Sequence, residues 1–108
     1  LFDAKFFAAV KPGAFFVNVG RGKSVVQPDL IAALRSGRLA GAGLDVTDPE
    51  PLPADSPLWQ MQNVILTPHI SAGSDLGDAV RFAIGIENLR RYVAGERMLS
   101  VVDVAKGY

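Results

Sequence analysis

The chain has 108 residues, 49% of them hydrophobic, with eleven basic and eleven acidic side chains and no cysteine. That length bounds it at one domain with a core near the small end of the usual range. Balanced charge, with no basic cluster longer than Arg90-Arg91, argues against nucleic acid; absent cysteines exclude disulfides and thiol chemistry, and no apolar run nears the roughly 20 residues that span a bilayer.

Leu1 stands where a start methionine would, and Leu1-Phe2-Asp3 already reads as the start of a helix, so the expectation is a piece of a longer polypeptide. Asp3 is placed to cap a short helix carrying Phe6, Phe7 and Val10, which Lys11-Pro12-Gly13 ends. Ala14 to Val19 is apolar without clean alternation, the pattern of a parallel strand covered on both faces, and Gly20-Arg21-Gly22 then turns the chain. Pro28-Asp29 opens a second helix with Leu30, Ile31, Ala33 and Leu34 on one face, stopped by Ser36-Gly37. Leu39 to Val46 is the next strand, whose Gly41 and Gly43 suggest close approach by a helix or ligand. Thr47 to Pro57, rich in proline and acid, is a loop, and Pro57-Leu58-Trp59 plugs back as a short turn. Asn63 to Leu66 makes a third strand. Ser74 caps the longest helix, with Ala79, Val80, Ala83, Ile84, Ile86, Leu89 and Val93 at helical spacing and Gly95 beyond its end. The organisation expected is a unit over 1–97 and an extended arm over 98–108. Right-handed crossovers would make the three strands parallel, half of a doubly wound α/β sheet.

Three apolar runs each end in polar groups: Asn18 before Gly20-Arg21-Gly22, Asp45 before Asp48-Pro49-Glu50-Pro51, and Thr67 before Pro68-His69. Ligands of open α/β sheets bind outside the carboxyl ends of the strands, so an arginine, two acids and the single histidine converge there. Imidazole gives and takes a proton near neutral pH, which makes His69 the acid and base; its plainer role is a hydrogen-bonded strand end. Glu50, otherwise a solvated loop acid, would fix the tautomer of His69 if its loop folds back. The guanidinium of Arg21, otherwise a surface charge, binds a carboxylate through two parallel hydrogen bonds, and flanking glycines would let backbone and substrate approach closely. Asp45 either caps the following loop or accepts a hydrogen bond from a ligand amide; on spacing alone both stand. A serine nucleophile lacks the Gly-x-Ser-x-Gly elbow, and one histidine without cysteine leaves carboxylates at no ligand spacing, so no metal site is expected.

Seven motifs in order carry a resemblance: Lys11-Pro-Gly-Ala14, Val17-Asn18-x-x-Arg21-Gly22, Ala32-Ala-Leu34-x-x-Gly37, Gly41-Ala-Gly-Leu-Asp45-Val46, Glu50-Pro51, Ser56-Pro-Leu58 and Asn63-Val-Ile-x-Thr67-Pro-His69. Through them nearly the whole chain resembles the C-terminal half of the nucleotide-binding domain of D-isomer-specific 2-hydroxyacid dehydrogenases, a Rossmann-like fold. The resemblance implies an oxidoreductase of a small 2-oxo or 2-hydroxy acid using NAD or NADP, with glyoxylate or hydroxypyruvate reductases as the nearest kind. It implies that Arg21 binds the substrate carboxylate, His69 exchanges the proton and Glu50 pairs with His69. It further implies that Asp45, with Val19, Gly20, Arg21, His69, Ile70, Ser71 and Ala72, meets the nicotinamide end of the cofactor. A homodimer in the cytoplasm goes with it. The chain departs from the family at Gln27, where an acid is usual and where the effect falls on the start of the helix more than on chemistry. It departs again at Ser71-Ala72-Gly73-Ser74, where a glycine-rich turn is usual. The Gly-x-Gly-x-x-Gly turn that seats a pyrophosphate is absent from these residues, so the chain alone is expected to bind dinucleotide poorly and turn over nothing. A dinucleotide-sensing corepressor and a half-sheet without independent function are the other readings.

Overall fold

The computed structural model describes residues 1–106; Gly107 and Tyr108, the end of the expected arm, lie outside the described residues. The chain divides into a first unit, Leu1–Ser71, and a second that begins at Ala72.

The first unit holds β1 (Ala14–Asn18), β2 (Leu39–Leu44) and β3 (Val64–Leu66), all parallel in the order β1-β2-β3. Helix α1 (Ala4–Ala9) precedes β1, and α2 (Gln27–Arg35) is the crossover to β2. Asp3 caps α1 by accepting from the Phe6 amide at 3.0 Å. Arg38 closes its other end, its guanidinium donating to the carbonyls of Phe7 at 3.2 Å, Val10 at 2.5 Å and Ala8. A guanidinium fits there because the last carbonyls of a helix lack partners within it.

The core lies between the helices and one face of the sheet. Phe7, Leu30 and Leu34 are buried against Leu39, Ala42 and Leu44, with Phe16 meeting Phe7 edge to face at 5.4 Å. Leu58, in the short turn Pro57–Gln60, seals this core at 1% exposure, so the expected plug is made by Leu58, while Trp59 stays half exposed. Strand register puts Phe16, Ala42 and Val64 on that face and Phe15, Val17, Gly43 and Ile65 on the other. There Phe15 is 77%, Val17 67% and Ile65 72% exposed. The expectation that β1 is covered on both faces is therefore corrected. An unbroken apolar run says that both faces avoid water, but not which piece of chain covers each.

Gly41 is also corrected. A Cβ there would sit 2.7 Å from the Asn63 carbonyl and 3.1 Å from the Phe15 ring, so the close approach comes from the neighbouring strands and not from a helix. At Gly43 the nearest atom would be Val17 at 3.9 Å, ordinary contact.

The second unit is built on α3 (Asp75–Val93), capped by Ser74, whose hydroxyl accepts from the Gly77 amide at 3.0 Å. Gly95 follows its end with φ 69°, the left-handed conformation that glycine adopts without strain. Glu87 receives Arg90 at 3.0 Å and Arg91 at 2.7 Å, and these guanidiniums hold its carboxyl down at about 2. The segment after α3 turns back on it: the Asn88 amide donates to the Leu99 carbonyl at 3.1 Å and accepts from its amide at 2.6 Å. Among the described residues no helix is long and apolar enough to cross a membrane.

Candidate active site

The loops after β1, β2 and β3 all leave from the same, carboxyl edge of the sheet, as three parallel strands require. After β1, buried Asn18 shapes the turn from within. Its Oδ1 accepts from the Gly20 amide at 3.1 Å and its Nδ2 donates to the Arg21 carbonyl at 3.0 Å, an Asx-type brace. Arg21 is thereby presented at the surface, where its Nη1 donates to the Gly20 carbonyl at 2.8 Å. The flanking Gly22 serves the backbone approach expected of it. A Cβ there would stand 1.9 Å from the Thr47 carbonyl, so Gly22 is what lets the β1 loop rest on the β2 loop, and the close approach is by backbone.

The β2 loop then carries Glu50 back over the edge, and Glu50 Oε1 lies 2.8 Å from His69 Nδ1. A carboxylate can only accept, so the neutral ring carries its proton on Nδ1 and offers the Nε2 lone pair. Arg21, Lys23, Asp48 and Glu50 share a cleft of about 440 Å³, and Glu50 also borders a second of about 560 Å³ walled by Leu52, Trp59 and Leu66. Thus, of the three residues singled out from sequence, Glu50 is paired with His69 and shares a cleft with Arg21.

Asp45 makes the bonds of a loop cap. Only 4% exposed, its carboxylate accepts from Thr67 Oγ1 at 2.5 Å, from the Ile70 amide at 2.9 Å and from the Ser71 amide at 2.9 Å. The Thr67 hydroxyl first, then the Ser71 and Ile70 amides, hold its carboxyl well below the usual carboxylate range against the opposing effect of burial. Its carbonyl also accepts from the His69 amide at 2.9 Å. His69 sits at φ 55°, a left-handed conformation uncommon outside glycine.

Val19 and Ile70 flank this polar cluster with their apolar side chains exposed, beside exposed Gly20 and Ser71. Ala72 belongs to the second unit, where its carbonyl accepts from both Arg81 Nη1 and Nη2 at 3.3 Å. Three residues of consequence were not assigned from sequence. Asn18 and Thr67 each carried a readable signal, a small polar side chain closing an apolar run. Gln27 is the third: besides starting α2, its Oε1 accepts from the Asp48 amide at 3.4 Å, tying the helix to the loop of Glu50.

A parallel half-sheet with a histidine, its carboxylate and an arginine on the loops of its carboxyl edge is the architecture of a nucleotide-binding α/β domain. The family model described as "D-isomer specific 2-hydroxyacid dehydrogenase, NAD binding domain" matches residues 1–71. The chain belongs to this family. It is 45% identical over 106 residues to an uncharacterized protein in the proB 3' region of Corynebacterium melassecola, covering 98% of this chain and 35% of that one. A D-isomer specific 2-hydroxyacid dehydrogenase from Xanthobacter autotrophicus Py2, solved with NADPH and MES, superposes with a TM-score of 0.86 at 46% identity over 99% of this chain and 43% of its own. An NADPH-dependent glyoxylate/hydroxypyruvate reductase from Sinorhizobium meliloti, solved with NADP and sulfate, gives 0.84 at 40% identity over 99% of this chain and 35% of its own. The chain thus spans between about a third and two fifths of the length of these relatives.

Proposed function

We propose that the protein carrying this chain is an NAD- or NADP-dependent reductase of a small 2-oxo acid, with His69 as acid and base and Arg21 holding the substrate carboxylate. The observation that carries this reading is the 2.8 Å pair of Glu50 and His69 on the carboxyl edge of the sheet, in a cleft neighbourhood that also holds Arg21. The residues present fit the nicotinamide end of a dinucleotide: exposed apolar flanks at Val19 and Ile70 suit a flat ring, and Gly20 leaves room beside it. When bound, that cofactor supplies the hydride that the carbonyl carbon of a 2-oxo acid takes up.

The chain's own residues do the rest. Arg21 anchors the substrate through its carboxylate, which fixes the neighbouring carbonyl in one orientation. Protonated His69 gives its Nε2 proton to the carbonyl oxygen as the hydroxyl forms, and takes one back in the reverse direction. Glu50, on Nδ1, keeps the ring in the tautomer that this requires and stabilises the imidazolium beforehand. We extend the reading to a homodimer and a cytoplasmic location on the family resemblance alone.

The test is oxidation of NADH and NADPH by the full-length protein with glyoxylate, hydroxypyruvate and pyruvate. His69→Gln is expected to lose on the order of a hundredfold to ten-thousandfold in kcat, the range of general acid catalysis. A folded wild type that binds dinucleotide but reduces none of these acids would return the reading to a dinucleotide sensor.

A further inference from the structure

We propose that Thr67 is a positioning residue for His69, acting through Asp45, and that the Asp45 carboxylate is a clamp on the Thr67–Ser71 turn. The proposal rests on the role of His69 given above. Three observations meet here. His69 is the one non-glycine residue of the first unit with positive φ, 55°, a conformation that persists only where surrounding bonds over-determine it. Most of the groups that determine it come from Asp45, which binds the amides of Ile70 and Ser71 through its carboxylate and the amide of His69 through its backbone oxygen; the His69 amide is shared with the Thr67 carbonyl at 3.1 Å. The carboxylate is in turn aimed by Thr67, whose hydroxyl donates to the same Oδ1 that holds Ile70, while the Thr67 amide is held by the Leu44 carbonyl at 3.0 Å.

The end of β3 is thus fastened to the end of β2 on both sides of the histidine. The imidazole itself is about half exposed, and of its ring contacts only the bond to Glu50 is polar in the first unit. A ring so weakly enclosed owes its direction to the backbone beneath it. Removing the Thr67 hydroxyl frees one acceptor position of Asp45, lets the carboxylate rotate, and releases the turn that aims Nδ1 at Glu50.

The readout is the tautomer of the neutral ring, observed by nitrogen-15 NMR of the full-length protein labelled in histidine, with His69→Gln identifying the signal. Wild type is expected as the Nδ1–H form. Thr67→Val, nearly isosteric, is expected to shift the ring toward the Nε2–H form that free imidazole side chains favour. Its kcat should fall between about tenfold and a hundredfold with KM little changed, the cost of a misaimed catalytic group. Thr67→Ser, which keeps the hydroxyl, should restore both. An unmoved tautomer in folded Thr67→Val overturns the proposal, as does a moved tautomer with an unmoved kcat. Unfolding of Thr67→Val beside a normal Thr67→Ser also overturns it, because the hydroxyl would then serve the fold at large. A wild type without turnover refutes the reductase reading and leaves the tautomer result to judge the clamp by itself.

Discussion

At the residue scale, the sign of the Asp45 shift sets a pH dependence. A carboxyl held below its usual range in the folded state adds stability above its unfolded pKa, and that contribution is lost progressively as pH falls from there through the lower, folded value. The Thr67–Ser71 turn should therefore outlast the protonation of ordinary carboxylates, which happens near pH 4 or slightly below. Amide exchange at Ile70 and Ser71 is expected to stay slow below that pH in wild type and to be fast already at neutral pH in Asp45→Asn, whose amide nitrogen cannot accept from a backbone donor. Exchange in wild type at neutral pH as fast as in Asp45→Asn would refute the clamp. At this scale the sequence was informative where chemistry names the residue: imidazole, carboxylate and guanidinium were picked out as His69, Glu50 and Arg21. It marked Asn18 and Thr67 as polar ends of apolar runs without giving their roles, because an amide or a hydroxyl at a strand end has many uses, and only the position of its partners selects one.

At the scale of elements, the site depends on the contact between two loops. Gly22 makes that contact possible, since any Cβ would overlap the Thr47 carbonyl, a backbone atom that cannot swing aside. Gly22→Ala is expected to push the Arg21 turn off the Thr47–Glu50 loop, lowering the melting temperature and raising KM for the 2-oxo acid by more than it lowers kcat; parallel melting and kinetic measurements on the full-length protein check this, and an unchanged KM would refute it. The helices and strands were legible within a residue or two, because caps such as Asp3 and Ser74 and breakers such as Gly13 and Gly37 act over a few positions. Strand β2 ends at Leu44, short of the predicted Val46, where its neighbours β1 and β3 have themselves ended at Asn18 and Leu66.

At the scale of the molecule, the first unit buries one face of its sheet and leaves Phe15, Val17 and Ile65 open on the other, with β1 and β3 both at edges. An exposed apolar face with unpaired edges seeks a partner. The 108-residue chain alone is expected to self-associate as concentration rises, to bind dinucleotide poorly and to show no turnover. Sedimentation measurements with Phe15→Lys beside wild type test this: a wild-type chain that stays monomeric over the range would sink the expectation, and the substituted chain should associate less.

The strands, the helix boundaries and the candidates for acid, base and cation were legible in sequence, because caps, breakers and ionisable groups act within a few residues of the chain, and the parallel sense followed from the handedness of the crossovers. Other features were settled by tertiary structure: the Glu50–His69 bond spans 19 residues and the Asp45 clamp 22 to 26, and Gly22 and Gly41 are required by neighbours far along the chain. Such contacts depend on how the strands lie beside one another, and no local pattern of residues records that distance.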